Sequence, residues 1–172
     1  TTERKLLIYV LLINFFFFIL EIVFGLISKS MGLVADSLDM LADAFVYGLA
    51  LWAVGSTIKR KQKVALTAGV LQTVLATLGM IEVIRRFIHF EFIPNFSIMI
   101  IISILALIGN TLSLIILQKT KSNEAHVKAS KIFTSNDVIV NIGVIISAVL
   151  VYLTQSRYPD LVIGTIIFIL VL

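Results

Sequence analysis

Stretches of some twenty apolar residues follow one another along the whole chain, separated only by short polar breaks. About 20 residues at 1.5 Å each cover the hydrocarbon thickness of a bilayer, so this repetition constrains the fold more than any other feature. Of 172 residues, 59% are hydrophobic and 14% charged, well beyond the apolar share of an ordinary soluble domain. The expectation is an all-α membrane protein. The polar breaks divide it into six transmembrane helices over about 6–27, 31–58, 64–90, 96–118, 127–155 and 158–172. Pro94 and Pro159 fall between these spans, where a residue without a backbone donor is tolerated. The first run is too long and too rich in Phe for a signal peptide, and no small-residue cleavage site follows it. With short connections throughout, 1–172 reads as one six-helix domain without a soluble domain. There is no Cys, which excludes disulfides and thiolate metal sites.

Basic residues set the orientation. Arg4 and Lys5, then Lys59, Arg60, Lys61 and Lys63, then Lys119, Lys121, Lys128 and Lys131 all fall at one end of the spans. Lys29, Arg85, Arg86 and Arg157 fall at the other. The positive-inside bias therefore puts both termini in the cytoplasm and accounts for the formal charge of +4, leaving nothing for nucleic-acid binding to explain.

Three carboxylates interrupt the second span. In "SKSMGLVADSLDMLADAF" (28–45), Asp36, Asp39 and Asp43 are spaced i, i+3 and i+7, on one stripe of a helix. Each Asp near a span centre costs about 2.5–3.5 kcal/mol on insertion scales, and three on one stripe repel each other. Asp36 alone is also explained as a carboxylate near a helix start, favoured by the dipole. Asp39 and Asp43 lie too deep for that, and a divalent cation is the better account. In "IFTSNDVIVNIG" (132–143) the fifth span adds Asp137, flanked by Asn136 and followed one turn on by Asn141. The fourth span adds Asn110. Each Asn by itself suits an interhelical hydrogen bond, worth about 0.6–2 kcal/mol in membranes. The candidate metal residues are thus Asp39, Asp43 and Asp137, with Asn136, Asn141, Asn110 and Asp36 as weaker candidates. Glu21 reads either as an aid to cation exit or as a partner of Lys29, and Glu82 as a partner of Arg85 and Arg86. His89 and His126 stand at span ends, too far away to complete the site.

These residues resemble the cation diffusion facilitator family of divalent metal/proton antiporters. The family's acid, Gly, Ser, Leu, Ala-Asp and ligand-x-x-x-Asp pattern falls on Glu21, Gly25, Ser30, Leu33, Ala35, Asp36, Asp39 and Asp43. Asn110 matches a polar fourth-helix position, and "SNDVIVNIGVIISAVLVYL" matches the fifth helix. The resemblance implies a metal efflux transporter, not an enzyme, with no permanently bound cofactor, exchanging a divalent ion for protons. It also implies a homodimer, for which the small residues Ala65, Ala68, Gly69, Ala76 and Gly79 with Gln72 on the third helix supply a face; the alternative is that the same stripe packs inside the protomer, against helix six. Two departures stand out. Phe133 occupies a position where the family has a ligand, so a fourth ligand falls to Asn136, Asn141, Asn110 or water. The cytoplasmic metal-binding domain that many members carry after helix six is expected to be absent.

Zn²⁺ or a similar transition ion comes first as cargo from the resemblance. Mn²⁺ comes second, because an all-oxygen donor set suits harder cations. The expected setting is the inner or plasma membrane of a bacterium. No phosphate loop or nucleophile–base set is present, which argues against an ATP-driven pump. The alternatives are a non-transporting membrane metal sensor or scaffold and an intramembrane aspartyl protease using Asp43 and Asp137, though the latter's Gly-rich segment is missing.

Overall fold

A computed structural model describes residues 2–52, 57–119 and 125–172. They form six α-helices: α1 (Thr2–Ser28), α2 (Met31–Trp52), α3 (Ile58–Ile88), α4 (Phe96–Lys119), α5 (Ala125–Thr154) and α6 (Tyr158–Val171). The protein is an all-α membrane protein. By length and composition α1, α3, α4 and the 131–154 part of α5 are each able to cross a bilayer, and α6 is a shorter apolar helix. The number and order of helices match the sequence expectation, and the ends shift by a few residues. The largest difference is at the second break. The basic run Lys59–Lys63 belongs to the first turns of α3 rather than to a loop, and residues 53–56 lie outside the described segments.

Helices α1, α2, α4 and α5 form the inner bundle, through α1–α2, α4–α5, α1–α4 and α2–α5 packing. Helices α3 and α6 pack on each other and on α2, and α6 also meets α5. Which face each helix buries follows from 3.6-residue periodicity. On α1 the buried positions are Leu7, Val10, Asn14, Phe17, Glu21, Gly25 and Ser28, and on α4 Met99, Ile102, Ser103, Ala106, Asn110, Ser113 and Leu117. Phe15, Phe16, Ile19, Ile101 and Ile108 point outward, as side chains facing lipid should. Helix α2 is different, being buried on nearly every side from Met31 to Ala44. The helix with three aspartates is the most enclosed, which keeps their carboxylates from lipid.

Small residues let the backbones approach. A Cβ on Gly109 of α4 would collide with the Phe17 ring of α1. One on Gly164 of α6 would sit 3.1 Å from the Met31 carbonyl of α2. The α1–α2 turn closes with Lys29 at φ 60° and a Ser30 N–H bond to the Gly25 carbonyl (3.0 Å), a Schellman-type stop with Lys in the place Gly usually takes.

Candidate metal-transport site

One cavity of about 400 Å³ brings together the residues singled out from the sequence. Asp39 and Asp43 reach it from α2, and Asn136 and Asp137 from α5. Their register explains the convergence: Asp39 and Asp43 are one turn apart on α2, and α5 packs against that face. Val46, Phe133, Leu170 and Val171 complete the wall on the side of the basic helix ends. The cavity therefore runs from the carboxylates toward the end of the bundle that carries the lysines of α3 and α4.

Asp43 and Asp137 are buried and Asp39 is half-buried. The Asp43 and Asp137 carboxyl groups lie within hydrogen-bonding range of each other, and one oxygen of each is buried with no donor. Just beyond Asp43, the Tyr47 hydroxyl meets Thr134 Oγ1 at 3.0 Å, tying α2 to α5 below the pair. Among the described residues no three acidic or imidazole side chains are drawn tightly enough to hold an ion as they stand. The donor set is hard, anionic and short of partners, so it fits a divalent cation by charge and chemistry.

The weaker candidates separate. Asn136 is exposed and lines the cavity. Asn141 is buried and donates to the Asp137 carbonyl at 2.8 Å, with its own Oδ1 unpartnered. Asn110 is buried against α2, its Nδ2 3.9 Å from Met40 Sδ and its Oδ1 unpartnered. Asp36 is fully buried and faces Glu21 instead of the cavity. Glu21 does not meet Lys29, whose ammonium lies 3.0 Å from the Phe92 ring centroid. Glu82 does pair with Arg85 and Arg86, at 2.8 and 2.7 Å. The side chain of His126 lies outside the described residues.

The helix-three stripe divides. Gln72 and Ala76 are buried inside the protomer, Gln72 donating to the Leu38 carbonyl, and Gly79 abuts Phe168 of α6. Ala65 and Gly69 remain open. Sequence reasoning missed Asp160 altogether. Fully buried at the start of α6, its carboxylate accepts from Ser30 Oγ (2.6 Å), Met31 N (2.7 Å) and Gly32 N (3.1 Å), capping α2 from another helix. The only sequence hint was an acid directly after Pro159, where a helix starts.

Six helices, four of them long and apolar enough to cross a bilayer and one a shorter apolar helix, enclose these unpartnered carboxylates among the described residues. The family model of the cation efflux transmembrane domain matches residues 7–172, and the chain belongs to that family. It is thus a cation efflux transporter domain by descent. No individual curated protein matches it closely enough to count as a relative.

Proposed function

We propose that this protein exports a divalent metal cation in exchange for protons, with Asp39, Asp43 and Asp137 as the ligands. The observation that carries this reading is the cavity in which aspartates from α2 and α5 meet with oxygens left unpartnered. A cation entering from the basic end replaces protons held among these carboxylates, because its charge favours their ionised forms. Protons arriving from the opposite side displace the ion when the site turns outward, which is alternating access around a mid-membrane site. Zn²⁺ or a similar transition ion is the first choice of cargo and Mn²⁺ the second, with Asn136 or water supplying what Phe133 cannot. The basic end faces the cytoplasm of an inner or plasma membrane, following the loop charges. A homodimer through α3 would use the open half of the helix around Ala65 and Gly69, since the other half is packed within the protomer.

Reconstitution into proteoliposomes with an entrapped pH dye tests the reading. Zn²⁺ added on the cytoplasmic side should drive a counterflow of protons that is lost in Asp43→Ala. Zn²⁺ uptake without any proton movement would remove the antiport mechanism, and no uptake of Zn²⁺ or Mn²⁺ would remove the transport assignment.

A further inference from the structure

Away from the metal site, α5 and α6 part on their outer side to leave an apolar groove of about 450 Å³. Its rims are Ile146 of α5 and Val162 and Ile166 of α6, all exposed where lipid would lie. Two small residues of α5, Gly143 and Ser147, keep its floor low. A Cβ on Gly143 would already stand 3.0 Å from Ile163 Cδ1 across the groove. Ser147 is buried and its hydroxyl makes no hydrogen bond, so what this position contributes is small size. The groove begins at the polar α5–α6 turn, where Thr154, Ser156 and Tyr158 line it, and reaches inward to Gly143. Thr154 and Gly143 are separated by about 16 Å of helix rise, close to half the roughly 30 Å hydrocarbon thickness of a bilayer. Its length is that of one leaflet.

A cation stands at the mouth. Arg157, in the same turn, holds its guanidinium 5.1 Å from the Tyr158 ring centroid and 4.8 Å from that of Phe90. Its Nε is buried without an acceptor, and its hydrogen bond to the Phe87 carbonyl is long, at 3.4 Å. The acids at this end are engaged elsewhere. Asp160 accepts from three donors of the α1–α2 turn and α2, Glu82 pairs with Arg85 and Arg86, and Glu91 pairs with Arg85 at 2.7 Å. Among the described residues no carboxylate lies within ion-pair range of Arg157 or of Lys29. Ser156 Oγ accepts from the Tyr158 N–H at 3.2 Å, which leaves its own O–H to donate.

An unpaired guanidinium at the membrane surface, above an apolar groove one leaflet long, is complementary to a molecule with an anionic head and a hydrocarbon tail. We propose that the α5–α6 groove binds one anionic phospholipid of the non-cytoplasmic leaflet, with an acyl chain lying along Gly143 and Ser147 and the phosphate held by Arg157 and Ser156. The two parts act differently. A chain gains little by leaving lipid for an equally apolar groove, so the groove fixes position and depth. The forked guanidinium, meeting phosphate in charge-assisted hydrogen bonds, supplies the preference for an anionic head. A helix of a second copy fits less well, since it would run through both leaflets whereas the groove ends near the middle of the bilayer.

The test uses the full chain, purified in detergent and stripped of lipid. Phosphatidylglycerol or phosphatidylcholine with the same acyl chains is titrated in, and native mass spectrometry counts the lipid that stays bound. Phosphatidylglycerol should saturate at one molecule per protomer and bind roughly tenfold more tightly than phosphatidylcholine. Arg157→Gln should bring phosphatidylglycerol down to the phosphatidylcholine level. Ser147→Leu raises the floor of the groove and should weaken both lipids. Ile146→Trp narrows the groove from its exposed rim and carries the same measurement should Ser147→Leu fail to fold. Inorganic phosphate should not displace the lipid, and displacement by it would reduce the site to an anion contact at Arg157. Binding without a plateau, unchanged in Arg157→Gln and in the groove variants, would mean ordinary surrounding lipid only. A phosphatidylglycerol preference that is lost in Arg157→Gln but untouched by both groove variants would remove the chain from the groove. A shift from dimer to monomer in the groove variants, with the lipid count unchanged, would give the groove to a second copy. Each of these four results overturns the proposal.

Discussion

Asp160 and Asp137 are the same residue type at nearly the same burial, 0% and 1% exposed, yet they stand in opposite electrostatic circumstances. Asp160 sits opposite three donors from the first turn of α2, so its charge is met where the helix N–H groups would otherwise be orphaned. Asp137 faces another carboxylate across the cavity and keeps a buried oxygen without a donor. A satisfied buried acid stabilises a fold. An unsatisfied one costs stability that something absent from the apo protein must offset, and a cation or a proton is what does so. Helix α2 joins both circumstances within its own length, anchored by Asp160 at its first turn and bordering the cavity two to three turns further on.

The sharpest way to break this comparison is to remove each kind of acid in turn. Asp39→Ala, Asp43→Ala and Asp137→Ala should each lower metal transport by more than about 100-fold, beyond the effect usual for groups that only support a metal ligand. Their metal-free stability should hold or rise, because a repelling charge is gone. Asp160→Ala should do the reverse. It leaves two backbone N–H groups and a hydroxyl without their acceptor at about 1–3 kcal/mol each, for a loss of at least roughly 3 kcal/mol. Thermal unfolding in detergent should show the drop, while the protein that remains folded keeps its Zn²⁺ affinity. Equal destabilisation by Asp137→Ala and Asp160→Ala would erase the distinction.

What the sequence revealed and what it hid follow from the range of the interactions. Span periodicity and the i, i+3, i+7 aspartates are local, so α2 and its acidic stripe were legible, and the register of Asp137 was enough to place it opposite Asp43. Asp160 and Ser30 are 130 positions apart and nothing local marks their contact. The sequence likewise placed Asp36 with the other aspartates of its stripe. Although i+3 spacing holds it near Asp39, Asp36 turns to Glu21 on the neighbouring helix, a choice that depends on how α1 packs. The basic run before the third span looked like a loop because charge was taken as a break. Lysines continue a helix readily, and only the membrane boundary has to fall there.

The stripe on α3 offers a smaller contrast between its two halves. Gly79→Leu would drive a side chain into the Phe168 ring, and overpacking of this kind should cost about 1–3 kcal/mol in the unfolding transition. Gly69 has nothing within 4 Å of where its Cβ would stand, so Gly69→Leu should leave the protomer's stability unharmed. Any effect of Gly69→Leu should appear as a shift from dimer to monomer in elution volume. An unshifted elution volume, with no cross-link from a Cys placed at Gly69 in this Cys-free chain, would remove α3 from the proposed dimer contact.

The finest adjustment concerns the wall of the cavity rather than its acids. Phe133 lines it one turn from Asp137, so its ring occupies space beside the ligands without donating to an ion. Phe133→His would place an imidazole at i, i+4 from Asp137, on the same face and directed into the same space. Imidazole is a softer donor than carboxylate and favours Zn²⁺ over Mn²⁺, so the exchange should raise the Zn²⁺ preference by roughly tenfold, or about 1.4 kcal/mol. Competition uptake with both ions in one proteoliposome preparation reads that ratio directly. Phe133→Leu is the necessary companion, since it relieves bulk without adding a donor and should leave the ratio near its starting value. If Leu shifted the preference as far as His, cavity size would be setting selectivity. If neither shifted it, the ion would be held higher in the cavity, by Asp39 and Asn136 against Asp43, out of reach of position 133.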